Sequence, residues 1–181
     1  MLIFVTGGVR SGKSSFAERL AIERGNGARL HYIATGRRDD PEMSERIMHH
    51  QKRRHASGLQ WRLWEVSVNL ADVEKRIEKG SVVLLDCLTT WLNNELFSDW
   101  NETFDHADTV RTMMLDAIST LQSSRTLIVV SNELVYEPIT EDRTTFTYVK
   151  LLGNLHQVLV QMAEEAYLCE YGIPILMKGR G

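Results

Sequence analysis

Residues 7–14 read Gly-Gly-Val-Arg-Ser-Gly-Lys-Ser, and no other stretch constrains the chain as strongly. The run fits G-x-x-x-x-G-K-[ST], the spacing of a phosphate-binding P-loop. Its flanks are the ones such a loop needs. Leu2-Ile3-Phe4-Val5-Thr6 is a short apolar run that reads as a buried strand. Ser15 to Ala21 begins a helix, with Phe16 and Leu20 at helical spacing. Glycines between a strand and a helix let backbone N–H groups turn inward around an anion without Cβ clashes. The helix dipole adds about half a positive charge at the same end. Gly7, Gly8, Val9, Arg10, Ser11 and Gly12 therefore form a candidate phosphate cradle. Lys13 is expected to be solvent-facing at the empty loop and to reach the β- and γ-phosphates of a nucleotide; Ser14 is expected to bind Mg²⁺ through its hydroxyl.

The rest of the chain alternates between strand-like and helix-like segments. Leu30–Thr35, Gln60–Glu65, Ser81–Asp86, Thr126–Val130 and Ile173–Met177 read as strands. Helices are expected over residues 42–56, with Pro41 suited to the first turn, and over 69–79, 89–97 and about 144–166. Val110, Met113, Met114, Ala117, Ile118 and Leu121 form a further apolar helical stripe. Pro174 places the last strand's start, or the strand itself, at a sheet edge. This alternation predicts an α/β, P-loop NTPase-like fold with a mostly parallel central sheet and helices on both faces. Ligands of such sheets sit beyond the carboxyl ends of the strands. The P-loop, Thr35, Asp86 and Ser131-Asn132-Glu133 all follow strand ends, so they can converge on one rim.

At 181 residues the chain is expected to be one domain, residues 1–181, with a substantial core. A formal net charge of −3 gives no electrostatic case for nucleic acid as partner. No apolar run approaches the roughly 18–20 residues of a membrane span. The first apolar run lacks a preceding basic region and reads as a strand rather than a signal peptide. Cys87 and Cys169 show no C-x-x-C pattern and read as reduced, buried cysteines of a cytoplasmic protein.

Three groups of residues could carry chemistry. Asp86 closes the strand Val82-Val83-Leu84-Leu85-Asp86 as a Walker B acid does, opposite the P-loop serine on Mg²⁺; a helix N-cap is the alternative role. Met43, Ile47, His50 and Arg54 recur at helical spacing, and His49 is rotated about 100° from His50. A neutral imidazole is a competent nucleophile towards phosphorus. Spacing alone favours a solvated basic helix carrying two surface histidines, and no H-x-x-x-H pair is present to suggest zinc. Glu133 stands at a strand end, where it suits either a general base or a cap.

Several linked motifs resemble the bifunctional adenosylcobinamide kinase / adenosylcobinamide-phosphate guanylyltransferase family of cobalamin biosynthesis. They are residues 4–14, Tyr32-Ile33-Ala34-Thr35, and Asp40-Pro41-Glu42-Met43 with Arg46-Ile47, His50 and Arg54. Trp61 and Glu65 follow, then Asp86-Cys87-Leu88-Thr89-Thr90-Trp91 with Asn94, Val129-Val130-Ser131-Asn132-Glu133, and Gly153 with Gln157. Asp86 stands where the family usually has glutamate, and His156-Gln157 where it has an Asn-Gln pair.

The resemblance implies that a helix histidine becomes guanylylated, and the position four residues after Arg46 is His50. With Lys13 it makes up the implied catalytic pair. Nucleotide contacts are implied for the P-loop, for Thr35, Gly36 and Arg37, for Gln51, Lys52, Arg53 and Arg54, and for Glu65 and Asp86. The implied nucleotides are GTP and ATP with Mg²⁺ held by Ser14 and Asp86. The implied partner is a corrinoid, adenosylcobinamide or its phosphate, and the implied assembly is a homotrimer. Other readings are a P-loop kinase or NTPase with a different acceptor, or a nucleotide-binding regulatory module.

Overall fold

The computed structural model describes residues 1–36, 60–98, 104–123, 125–134 and 142–179. Its strands are β1 (Leu2–Gly7), β2 (Leu30–Ala34), β3 (Trp61–Glu65), β4 (Val82–Asp86), β5 (Thr126–Val130), β6 (Glu165–Glu170) and β7 (Ile173–Lys178). They form one sheet in the order β3-β2-β4-β5-β1-β6-β7. Every neighbouring pair is parallel except β6 with β7. The helices are α1 (Lys13–Gly25), α2 (Ala71–Glu74), α3 (Leu88–Ser98), α4 (Phe104–Gln122) and α5 (Arg143–Met162).

Strand side chains alternate between faces, so the continuous apolar strands feed two cores. On one face Ile3, Val5, Tyr32, Leu84, Ile128 and Val130 meet Ala17, Leu20 and Ala21 of α1. On the other, Phe4, Ile33, Leu85 and Val129 meet Trp91 and Leu96 of α3, Met114 and Ile118 of α4, and Leu155 of α5. Each large apolar side chain so buried stabilises the fold by roughly 1.5–3 kcal/mol. The expected sheet, covered on both faces, is the one observed. Pro174 lies in the edge strand β7, as its ring requires.

Two elements differ from expectation. The helix expected over 69–79 stops at Glu74. The guanidinium of Arg125 takes the carbonyls of Glu74 and Ile77, and Arg76 and Ile77 donate three residues back instead of four. The apolar spacing holds, since Leu70, Val73 and Ile77 are all buried, but the last turns are not α-helical. The helix expected to run to Ala166 ends at Met162, and Glu165–Glu170 is a strand. Ala163 is already extended at φ −68°, ψ 141°. Glu164 bonds Leu2 twice, through its backbone N–H to the Leu2 carbonyl and through its carboxylate to the Leu2 N–H. Pairing with β1 thereby outweighs the helix propensity of Glu-Ala-Tyr-Leu.

Candidate nucleotide site

The P-loop closes at the carboxyl end of β1. Its backbone folds on itself through Ser11 N–H to the Gly8 carbonyl at 3.2 Å, and α1 starts with Phe16 N–H to the Gly12 carbonyl at 3.0 Å. Two glycines are needed here. A Cβ on Gly7 would lie 2.4 Å from the Cys169 carbonyl oxygen of β6. Gly12 is left-handed at φ 89°, and a Cβ there would meet Gly172 Cα at 3.0 Å. The β6–β7 turn thus backs the loop, and Gly172 N–H donates to the Ser11 carbonyl at 2.9 Å.

Lys13 is not solvent-facing: it is 8% exposed, and its Nζ donates to the Gly8 carbonyl at 2.9 Å, folded across the cradle. The alkyl stem is buried, and the Gly8 bond holds the ammonium against the loop's own backbone. The hydroxyl of Ser11 is buried and, among the described residues, has no hydrogen-bond partner. An orphaned buried hydroxyl inside a ring of glycine backbone suits a phosphate oxygen. Gly8, Val9 and Arg10 are exposed, and Ser14 is half-buried.

Asp86 ends β4, with β5 between it and β1. The register puts Asp86, Val130 and Val5 in one row, so Asp86 stands about 10 Å across the sheet from β1. Its Oδ2 accepts from the Tyr32 hydroxyl at 2.8 Å. That bond draws Asp86 towards the α1 face, the side from which Ser14 enters. A hydrated Mg²⁺, which keeps several waters, fits between a serine hydroxyl, phosphate oxygens and a carboxylate so placed. Among the described residues no cluster of three or more His, Cys, Asp or Glu side chains suits a metal.

Thr35 is fully buried and joins β2 to the chain after β4. Its N–H donates to the Asp86 carbonyl at 3.1 Å, its hydroxyl to the Cys87 carbonyl at 2.9 Å, and its carbonyl accepts from Asn94 at 2.8 Å. It holds Gly36 at the rim. Glu65 is exposed at the end of β3, four strands from β1 and so about 19 Å from the P-loop strand. Arg37, His49, His50, Gln51, Lys52, Arg53 and Arg54, and the helix expected over 42–56, lie outside the described residues.

The sheet's other face carries a polar cluster around Glu133, Ser131 and His156, and of these the sequence marks only Glu133 as a candidate for chemistry. Thr6 Oγ1 donates to Glu133 Oε1 at 2.8 Å, and Glu133 N–H donates to the Gly7 carbonyl at 3.1 Å. Ser131 Oγ and His156 Nε2 are 2.7 Å apart, and the imidazole packs on Phe4 at 5.2 Å between ring centroids. Burial holds His156 below its ordinary value of 6.5, with the Glu133 carboxylate opposing that shift. Asn132 donates to Thr89 Oγ1 at 2.8 Å, and the Tyr148 hydroxyl to the Thr89 carbonyl at 3.0 Å. Burial pushes the Cys87 thiol up, and Cys169, also a free thiol, is buried beside the P-loop strand. The available sequence signal was the strand-end position of Ser131; nothing in the pattern paired it with His156. A separate groove of about 880 Å³ between α2 and α4 contains none of these residues.

A mostly parallel sheet, a glycine cradle at the end of its first strand, an inward lysine and a strand-end acid two strands away define a P-loop nucleotide-binding protein. The flagellar accessory protein FlaH from Methanocaldococcus jannaschii shares this fold, with a TM-score of 0.52 at 16% identity over 99% of this chain and 78% of that one. The family model of cobinamide kinase / cobinamide phosphate guanyltransferase matches residues 3–177, and the chain belongs to that family. It is 36% identical to the bifunctional adenosylcobalamin biosynthesis protein CobP of Pseudomonas aeruginosa, covering 97% of this chain and 96% of that one. It is 32% identical to the bifunctional adenosylcobalamin biosynthesis protein CobU of Escherichia coli, covering 98% and 100%. No helix among the described residues is long and apolar enough to cross a membrane.

Proposed function

We propose that this chain carries both reactions named by its family, acting as one domain over residues 1–181. In the first, ATP or GTP phosphorylates the hydroxyl of adenosylcobinamide. In the second, His50 attacks the α-phosphorus of GTP and pyrophosphate leaves. A phosphate oxygen of adenosylcobinamide phosphate then takes the GMP from His50. The covalent phosphoramidate divides one displacement into two simpler ones.

The observation that carries the reading is the Ser11 hydroxyl, buried inside the Gly7–Ser14 cradle without a partner among the described residues, in a chain matched to the family over residues 3–177. Ser11, Lys13 and the loop N–H groups bind and orient the phosphates, and these fixed donors offset charge that develops in transfer. Ser14 and Asp86 would hold Mg²⁺, which supplies Lewis-acid stabilisation of the phosphoryl oxygens when bound. Glu65, at the far sheet edge, suits the nucleoside end of the ligand. Gly36, Arg37, Gln51, Lys52, Arg53 and Arg54 complete the nucleotide contacts. Neighbouring subunits of a cytoplasmic homotrimer would complete each site.

Purified protein incubated with adenosylcobinamide, GTP and Mg²⁺ tests this directly. Mass spectrometry should show the corrinoid monophosphate first and its GMP adduct second. Nucleotide hydrolysis with unchanged corrinoid would leave a P-loop NTPase and remove both transfers.

A further inference from the structure

The two proposed transfers differ in one chemical demand. The first acceptor is a hydroxyl, which must lose its proton as its oxygen bonds to phosphorus. The second is a phosphate, which already offers an anionic oxygen. Only the first needs a proton acceptor.

We propose that Glu133 is that acceptor, held in place by Thr6. This rests on the bifunctional reading above. β5 lies beside β1, so the residues just after β5 run along the mouth of the P-loop. Glu133 is tied there twice: its N–H donates to the Gly7 carbonyl at 3.1 Å, and its Oε1 accepts from Thr6 Oγ1 at 2.8 Å. Thr6 and Gly7 are the residues that lead into the phosphate cradle. Among the described residues no hydrogen bond engages Glu133 Oε2, which leaves one carboxylate oxygen for a substrate hydroxyl.

Among the described residues, the other candidate groups near this rim are committed elsewhere. Asp86 Oδ2 accepts from Tyr32, on the α1 side of the sheet. His156 Nε2 pairs with the hydroxyl of Ser131, which is fully buried, and its ring lies against Phe4, two residues short of the rim. Glu65 is at the far edge. Asp142, not Glu133, caps α5, accepting from Thr145 N–H at 2.7 Å.

The step balances without a further reactant. The corrinoid O–H bond breaks and its proton goes to Glu133 Oε2. The oxygen forms a bond to the γ-phosphorus. The bond from that phosphorus to the β–γ bridging oxygen breaks, and its electron pair leaves with the nucleoside diphosphate. Thr6 is a positioning residue, since it acts through Glu133.

Glu133→Gln keeps the shape and an oxygen for Thr6 but cannot take the proton. The test compares two rates in wild type and variant: phosphorylation of adenosylcobinamide, and GMP labelling of the protein by GTP with no corrinoid present. Phosphorylation should fall by about 10²–10⁴-fold, while labelling stays within about twofold. Thr6→Val should lower kcat for phosphorylation with little change in KM for the nucleotide, and should also spare labelling. Unchanged phosphorylation in Glu133→Gln, or parallel loss of both rates, would overturn the assignment. Wild type that does not phosphorylate the corrinoid removes the bifunctional reading itself, and this shows before any variant is made.

Discussion

The Tyr32 hydroxyl donates to Asp86 Oδ2 at 2.8 Å, across the neighbouring parallel strands β2 and β4. Tyr32 pairs in register with Leu84, so its ring spans two residues along the strand to reach the acid. One carboxylate oxygen is thereby fixed on the α1 face. Tyr32→Phe should free that carboxylate without emptying the core, since the ring remains. Partners that orient metal ligands typically tune affinity 10–100-fold; about tenfold weaker Mg²⁺ activation is expected here. Titrating activity against Mg²⁺ measures it, and an unchanged half-saturation point would mean that Asp86 does not serve the ion.

Asp86→Asn removes the charge and keeps an oxygen for Tyr32. The Mg²⁺ requirement should rise more than in Tyr32→Phe, with slower transfer at saturation. If activation is the same as in wild type, Asp86 is a structural acid at the strand end.

Lys13→Ala should lower nucleotide-dependent turnover by about 10²–10³-fold, the usual cost of one donor aimed at developing charge. Lys13 belongs to neither apolar core and its Nζ donates to the loop's own Gly8 carbonyl, so the fold should persist. Far-UV circular dichroism should be unchanged while calorimetric titration with GTP loses its signal. Wild-type affinity in this variant would remove Lys13 from the phosphate site.

His31 sets an acid limit on stability. It is fully buried, accepts from Trp64 Nε1 through Nδ1 at 3.0 Å, and places Nε2 3.1 Å from Glu78 Oε2. Desolvation holds it below its ordinary value of 6.5, against the opposing pull of Glu78. The Trp64 N–H also requires an unprotonated Nδ1. In the unfolded chain His31 takes a proton near 6.5; in the folded chain only at lower pH. Stability is therefore intact above about 6.5 and falls as pH drops below it, levelling once the folded group titrates. His156 shifts the same way and adds to the effect. Urea melts at about pH 7.5 and 5.5 should show the loss, and His31→Gln should reduce it. A midpoint that does not move, or rises, would contradict the account.

Much of this was legible in the sequence because it rests on local patterns. The P-loop, β4 with its terminal acid and the apolar run of β5 are set by residues adjacent in the chain. What was missed depends on distant partners. β6 reads as the end of a helix until Glu164 meets Leu2, 162 residues away. The second half of the 69–79 segment obeys Arg125 rather than its own spacing. Lys13 was expected in solvent because a motif does not show that Gly8 offers it a carbonyl. The Ser131–His156 pair joins a strand end to the middle of a helix, and no periodicity links two such positions.

The most direct measurement is covalent labelling by GTP carrying an α-phosphate label, followed by acid and alkali treatment. A phosphoramidate is acid-labile and alkali-stable, whereas a serine or threonine phosphoester survives mild acid. Wild type and His49→Ala should retain acid-labile label, His50→Ala should retain none, and label in the γ-phosphate should never be kept because pyrophosphate departs. Acid-labile labelling that persists in His50→Ala and vanishes in His49→Ala would assign the wrong histidine here. No label in any form would contradict the guanylyl-transfer account altogether.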